Sequence, residues 1–140
     1  MAEIPIKALI PHRGRMMLPE KIVEAGSDAA VTHATAGNLW PLAENDGINP
    51  LILIELVAQT AAICIGWDDY VKTGGLISGK GWLVGIKKAD FFMNTIPLKS
   101  LIITRVQKNF SAENLTEIRG ESHIGNKSAG KIILQIVRSE

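Results

Sequence analysis

A glutamate and a glutamine, Glu55 and Gln59, stand four residues apart inside the otherwise apolar run "NPLILIELVAQTAAICIGW". On a helix this spacing puts both side chains on one face. A carboxyl group among aliphatic side chains loses its hydration, so it either finds a polar partner or holds its proton towards neutral pH. Both outcomes are a starting point for acid–base chemistry, with the Gln59 amide placed to orient the carboxyl by hydrogen bonding. The pair also suits a purely structural role, at a dimer interface or in a buried capping contact. Imidazole is the usual group for taking a proton near neutrality, and the chain has three histidines. His12, in "LIPHRGRMMLPEKIVEAG", follows a proline, where it can either donate to a backbone carbonyl and hold a turn or act as a base. His33, in "VTHATAG", is on a strand whose alternation does not fix its direction. His123 adjoins the turn-like "HIGNKSAG", where exposure to solvent is expected.

These groups need elements to position them. Asn49 is a helix N-cap residue, Pro50 fits the first helical position, and Gly74 and Gly75 form a stop, which predicts one long helix between them. Residues 50–67 are apolar around almost the whole circumference, as in a membrane span or a helix buried on all sides. Glu55 and Gln59 decide for the second, because an ionisable side chain in lipid costs at least ~2.5 kcal/mol. The flanks also lack a basic bias and a second hydrophobic span, so no membrane span is expected. Before the helix, "MMLPEKIVEAG" and "AAVTHATAG" read as a hairpin around "SD", with Pro19 marking an edge or a bulge. After it come four more strands, "GWLVGIKKADFF", "SLIITRVQKNF", "LTEIRGESHIG" and "GKIILQIVRSE", with "NTIPLK", "SAEN" and "NKSA" as turns. The expected fold is α+β: a curved antiparallel sheet wrapped around one central helix, since only enclosure buries every face of that helix.

The 140 residues correspond to one domain, 1–140, large enough for a core without disulfide or metal staples. Fifteen Lys and Arg against fourteen Asp and Glu, with no basic run, speak against a nucleic-acid partner. Cys64 is the sole cysteine, excludes an internal disulfide, and reads as a small buried hydrophobe. No metal and no cofactor is expected. An early Glu and two prolines interrupt the N-terminus, so it resembles no signal peptide and the default compartment is the cytosol.

The segment "LILIELVAQ" resembles the helix of the hot-dog-fold 3-hydroxyacyl-(acyl carrier protein) dehydratases, where a catalytic Glu or Asp is followed four residues later by Gln. "IPHRGRMMLPEKIV" is similar to that family's N-terminal Pro-His-Arg segment, apolar run and acidic-basic pair, here Glu20 and Lys21. "WLVGIKKADFF" and "IPLKSLIITRV" resemble its strand pair, in which a Gly-Ile strand leads through a proline turn to the next strand. The "PHRGRM" form looks closest to the divergent dehydratase-like proteins of aryl-polyene-type biosynthetic clusters.

The resemblance implies a hot-dog fold and the dehydration of a 3-hydroxyacyl thioester, on acyl carrier protein or CoA, to a 2-enoyl thioester. It casts Glu55 as the acid that protonates the departing β-hydroxyl, Gln59 as its orienter and a histidine as the base. Two departures stand out. The family's histidine lies in a His-Phe-Pro-Gly segment before the helix, whereas "AGNLWPLAENDGINPL" keeps only an aromatic-proline pair, Trp40 and Pro41. His12 is then the provisional base. The family's helix-start glycine, whose N–H receives the thioester oxygen, aligns with Pro50, which has no N–H, so Leu51 and Ile52 are the substitute donors. Leu51, Ile54 and Ala58 either line an acyl tunnel or pack the core. Arg13 and Arg15 either meet the phosphopantetheine phosphate or acidic surface of a carrier protein, or are simply solvated. Family sites form across a dimer interface, so a homodimer or a heterodimer with a histidine-bearing homologue is expected. A non-autonomous subunit, and a hot-dog thioesterase or acyl-binding protein, are the alternatives.

Overall fold

The computed structural model describes residues 16–73 and 82–138. Two strands, β1 (Lys21–Ala25) and β2 (Ala29–Thr35), form the first hairpin. Two very short ones, β3 (Ala43–Glu44) and β4 (Gly47–Ile48), precede helix α1 (Ile52–Thr73). Four long strands follow: β5 (Trp82–Phe91), β6 (Leu101–Ala112), β7 (Leu115–Ile124) and β8 (Lys127–Arg138). The six longer strands pair antiparallel in the order β1-β2-β6-β7-β8-β5, so β5 crosses over to the far edge. The architecture is the hot-dog arrangement, with α1 against β2, β6, β7 and β8.

Strand alternation supplies the wall facing the helix. Ala30, Thr32 and Ala34 of β2, Ile102, Thr104 and Val106 of β6, and Ile132, Leu134 and Ile136 of β8 are all buried. The outer face reads as solvated surface: Glu24, Arg105, Glu121, Lys131 and Asp90 lie in one register row of alternating charge, interrupted by Val31. Two glycines let the helix approach the sheet closely. A Cβ on Gly120 would overlap the Val57 side chain, and one on Gly130 would come within 2.9 Å of Leu53 Cδ1. Polar groups on the inner wall are paired, Thr32 with Thr60 at 2.9 Å and Thr104 with Ser122 at 2.8 Å. Cys64 is buried, with its thiol 3.3 Å from the Ser27 carbonyl.

Where the sequence leads one to expect enclosure on every side, the described residues leave one stripe of the helix partly open. Ile52, Leu53, Leu56, Val57, Thr60 and Ile63 are buried, but Ile54, Glu55 and Ala58 remain partly open and Leu51 is exposed. The sheet covers most of the circumference and leaves one stripe. Among the described residues no helix is long and apolar enough to cross a membrane.

Several boundaries differ from those expected. The β6–β7 turn is confined to Glu113 and Asn114, and β8 begins at Lys127, so half of "SAEN" and all of "NKSA" but its asparagine belong to strands. Polar residues at a hairpin end look like loop by composition, whereas the backbone ladder continues through them. Pro19 lies just before β1, which is an edge strand as one of the two readings of that proline had it, while the bulge falls at Val23. The β3–β4 hairpin has no counterpart in the sequence reading, because two-residue strands carry no periodicity. It docks through Ile48 and Ile96, which exchange two backbone hydrogen bonds of 2.9 Å. Gly47 allows the approach: at φ 153° a Cβ there would lie 2.5 Å from the Ile96 carbonyl oxygen.

Candidate active site

The start of α1 is set by Asn49. Its Oδ1 accepts from the Leu51 N–H at 3.0 Å and its carbonyl accepts from the Ile52 N–H at 3.1 Å. Leu53 and Ile54 donate to Pro50 and Leu51 in the same tight turn. The two amides expected to face a thioester oxygen are therefore already engaged by the cap. The Ile52 side chain is turned into the core, whereas Leu51, Ile54 and Ala58 lie along the open stripe.

One turn into the helix the stripe carries Glu55, partly open, with Gln59 fully buried beneath it. The Gln59 Nε2 donates to Glu55 Oε1 at 3.1 Å and to the Met16 carbonyl at 2.6 Å. Its Oε1 accepts from the Leu18 N–H at 2.9 Å. The amide thus bridges the carboxyl to residues 16–18, much as a peptide unit of a neighbouring strand would. That segment is fixed on its other flank as well. Leu18 is buried, Glu20 donates its N–H to the His33 carbonyl at 2.8 Å, and the Glu20 carboxylate accepts from the Thr35 N–H at 2.8 Å. Glu55 and Gln59 are brought together as their spacing implies. Their link to the backbone of residues 16–18 has no signal in residue type, since main-chain atoms are common to all residues.

The two histidines within the described residues are on the other side of the sheet. Thr32 and Ala34 face the helix, so His33 between them faces outward. His123 is likewise outward, between the inward Ser122 and the end of β7, with Nε2 3.5 Å from Glu121 Oε2. Neither faces Glu55. His12, Arg13 and Arg15 lie outside the described residues.

Before the helix, matching Trp40 and Pro41 to the aromatic-proline pair of the His-Phe-Pro-Gly segment places Leu39 at the histidine and Leu42 at the glycine. Leu42 has φ 67°, the left-handed region that favours glycine, and its carbonyl accepts from the Asn49 N–H at 3.0 Å. Leu39 is 65% exposed and Leu42 48%. Aliphatic side chains thus stand at both ends of the segment.

A buried carboxylate lies on the outer sheet face, away from this site. Glu117 accepts from Lys87 Nζ at 2.9 Å and from Asn109 Nδ2 at 3.0 Å. Lys87 and Asn109 are the extra residues of bulges in β5 and β6, which aim them across the sheet. The Lys87 hydrogen bond, with that from Asn109, holds the Glu117 carboxyl below its ordinary value. Among the described residues no cluster of His, Cys, Asp and Glu is suited to hold a metal ion.

The family model for ApeP-like proteins, described as ApeP dehydratase, matches residues 4–138. No curated protein sequence matches significantly. Among solved structures, the dehydratase heterocomplex ApeI:P from Xenorhabdus doucetiae superposes with a TM-score of 0.83 at 16% identity, over 99% of this chain and 93% of that one. A sigma28-regulated virulence protein from Campylobacter jejuni gives 0.73 at 13% identity, over 96% and 88% of the two chains. A hypothetical thioesterase with coenzyme A from Streptococcus pneumoniae gives 0.66 at 9% identity, over 85% and 84%. At these identities the structural likeness speaks for the fold.

Proposed function

Given that the chain belongs to the ApeP-like dehydratase family, we propose that it eliminates water from a 3-hydroxyacyl thioester of fatty-acid or polyene-type biosynthesis. The product is the 2-enoyl thioester, on an acyl carrier protein or CoA. The observation that carries this reading is the Glu55 carboxyl, held by Gln59 at 3.1 Å on the stripe of the helix that the sheet leaves open. In the elimination a base takes the proton alpha to the thioester, and the released electron pair forms the double bond. The β-hydroxyl leaves as water once it receives the Glu55 proton. Leu51, Ile54 and Ala58 flank the carboxyl and give the acyl chain an apolar wall. Arg13 and Arg15 offer positive charge to the phosphate of a phosphopantetheine arm.

Within the chain, His12 is the base. It stands four residues before Met16, whose carbonyl Gln59 holds beside Glu55. Four residues of extended chain span at most about 14 Å. The test is to incubate the purified protein with a carrier-bound 3-hydroxyacyl thioester. A 2-enoyl product, lost in Glu55→Gln, supports the reading. Release of free thiol instead makes the protein a hot-dog thioesterase, and tight binding without turnover makes it an acyl-binding module.

A second reading has its own support. His33 and His123 face away from Glu55, and the family's histidine position falls on Leu39. On this reading the base comes from a homologous subunit in a mixed dimer, an assembly compatible with the heterocomplex formed by the Xenorhabdus doucetiae neighbour. Co-expression with a histidine-bearing homologue then yields a mixed dimer with activity that the chain lacks alone. Homodimers only, in the presence of that homologue, contradict it.

A further inference from the structure

We infer that Glu20 is a positioning residue of this site: its carboxylate replaces a missing strand partner at the end of β2, and residues 16–18 are thereby free to leave the sheet and hold Gln59. The inference rests on the reading of Glu55 as the acid and adds a residue, outside the helix, on which the placing of that acid depends. Backbone groups of β2 face its two neighbours by turns. On the β6 side, Ala36 donates to the Ser100 carbonyl at 2.9 Å and accepts from the Lys99 N–H at 2.8 Å. On the β1 side, the His33 carbonyl accepts from the Glu20 N–H at 2.8 Å, and the next group along is the Thr35 N–H.

A β1 strand prolonged backwards along β2 would meet that N–H with a main-chain carbonyl. The chain takes another course. Pro19 is buried and has no N–H, the Leu18 N–H goes to Gln59 Oε1 at 2.9 Å, and the Met16 carbonyl accepts from Gln59 Nε2 at 2.6 Å. Residues 16–18 are thus bonded to the helix and not to the sheet. The Thr35 N–H is met instead by Glu20 Oε1, at 2.8 Å. Glu20 therefore holds β2 twice, by its N–H and by its carboxylate, at the point where the chain parts from the sheet. Without that carboxylate the Thr35 N–H draws on the carbonyls of the incoming segment, and residues 16–18 lose their grip on Gln59.

Glu20 is exposed, so its substitution leaves the core intact. In isotope-labelled full-length protein, Glu20→Ala should speed the hydrogen exchange of both the Thr35 N–H and the buried Leu18 N–H. Glu20→Gln, which keeps an acceptor at the same reach, should restore the protection of both. The Ala36 N–H, on the other side of β2, should stay protected in each variant and so reports that the strand is intact. In the active assembly, chain alone or mixed dimer, Glu20→Ala should lower kcat for 2-enoyl thioester formation by about 10²-fold, the cost of misplacing a catalytic group by ~1 Å. KM should change little, and Glu20→Gln should recover the rate. Unchanged Leu18 exchange in Glu20→Ala means that water replaces the carboxylate at Thr35, and it overturns the inference; so does an unchanged kcat. The exchange readout does not use turnover, so the two readings fail separately: full activity in Glu55→Gln overturns the acid role of Glu55, and an unmoved Leu18 N–H overturns the positioning role of Glu20.

Discussion

Replacing Gln59 with leucine keeps roughly the same volume but removes three hydrogen bonds at a fully buried position. The Leu18 N–H and the Met16 carbonyl then lose their partner, at about 1–3 kcal/mol for each group left unsatisfied. Urea denaturation should show Gln59→Leu destabilised by at least about 1 kcal/mol; no change would mean that residues 16–18 find other partners. Glu117 gives a prediction with a pH dependence. Its carboxyl is held below the ordinary value chiefly by the Lys87 hydrogen bond. A group whose folded value is depressed adds stability above its unfolded value and loses it as the pH falls through the folded one. Glu117→Gln should therefore be less stable than the native protein at neutral pH, and the gap should close in acid below the ordinary glutamate range. A gap of constant size across that range, in thermal unfolding, would contradict the ion-pair account.

At the scale of elements, the helix depends on glycines beneath it. A methyl group on Gly120 would occupy the space of Val57. Gly120→Ala is expected to cost about 1–3 kcal/mol through overpacking, read as a lowered thermal midpoint, whereas Gly125→Ala meets no neighbour within 4 Å and pays only for its φ of 60°. Equal effects would show that the helix is free to shift. The helix, the first hairpin and the four later strands were legible because each is long enough to show a period and is bounded by Asn, Pro, Gly or Ser. The β3–β4 hairpin was not, since it is defined by its docking on Ile96. The Glu55 and Gln59 pair was legible from spacing on an apolar helix. The anchoring of that pair by residues 16–18 was not, because it uses backbone atoms only. The engagement of the Leu51 and Ile52 amides by Asn49 follows from the same cap that announced the helix, yet the resemblance alone directed them to a substrate.

For the whole molecule, the open stripe of α1 begins at the exposed Leu51, next to the exposed Leu42, whose carbonyl accepts from the Asn49 N–H at the helix cap. The base is the remaining variable. If His12 supplies it, His12→Ala should lower turnover by roughly 10²–10⁴-fold, the usual range for a general base; if a homologous subunit does, the mixed dimer should keep its rate in that variant. Both arrangements share the claim that Glu55 delivers the proton to the leaving hydroxyl. The most direct test is the rate of 2-enoyl thioester formation by the active assembly, chain alone or mixed dimer, with native Glu55 and with Glu55→Gln. The account predicts a fall of roughly 10²–10⁴-fold with the fold intact; an undiminished rate in Glu55→Gln would contradict it.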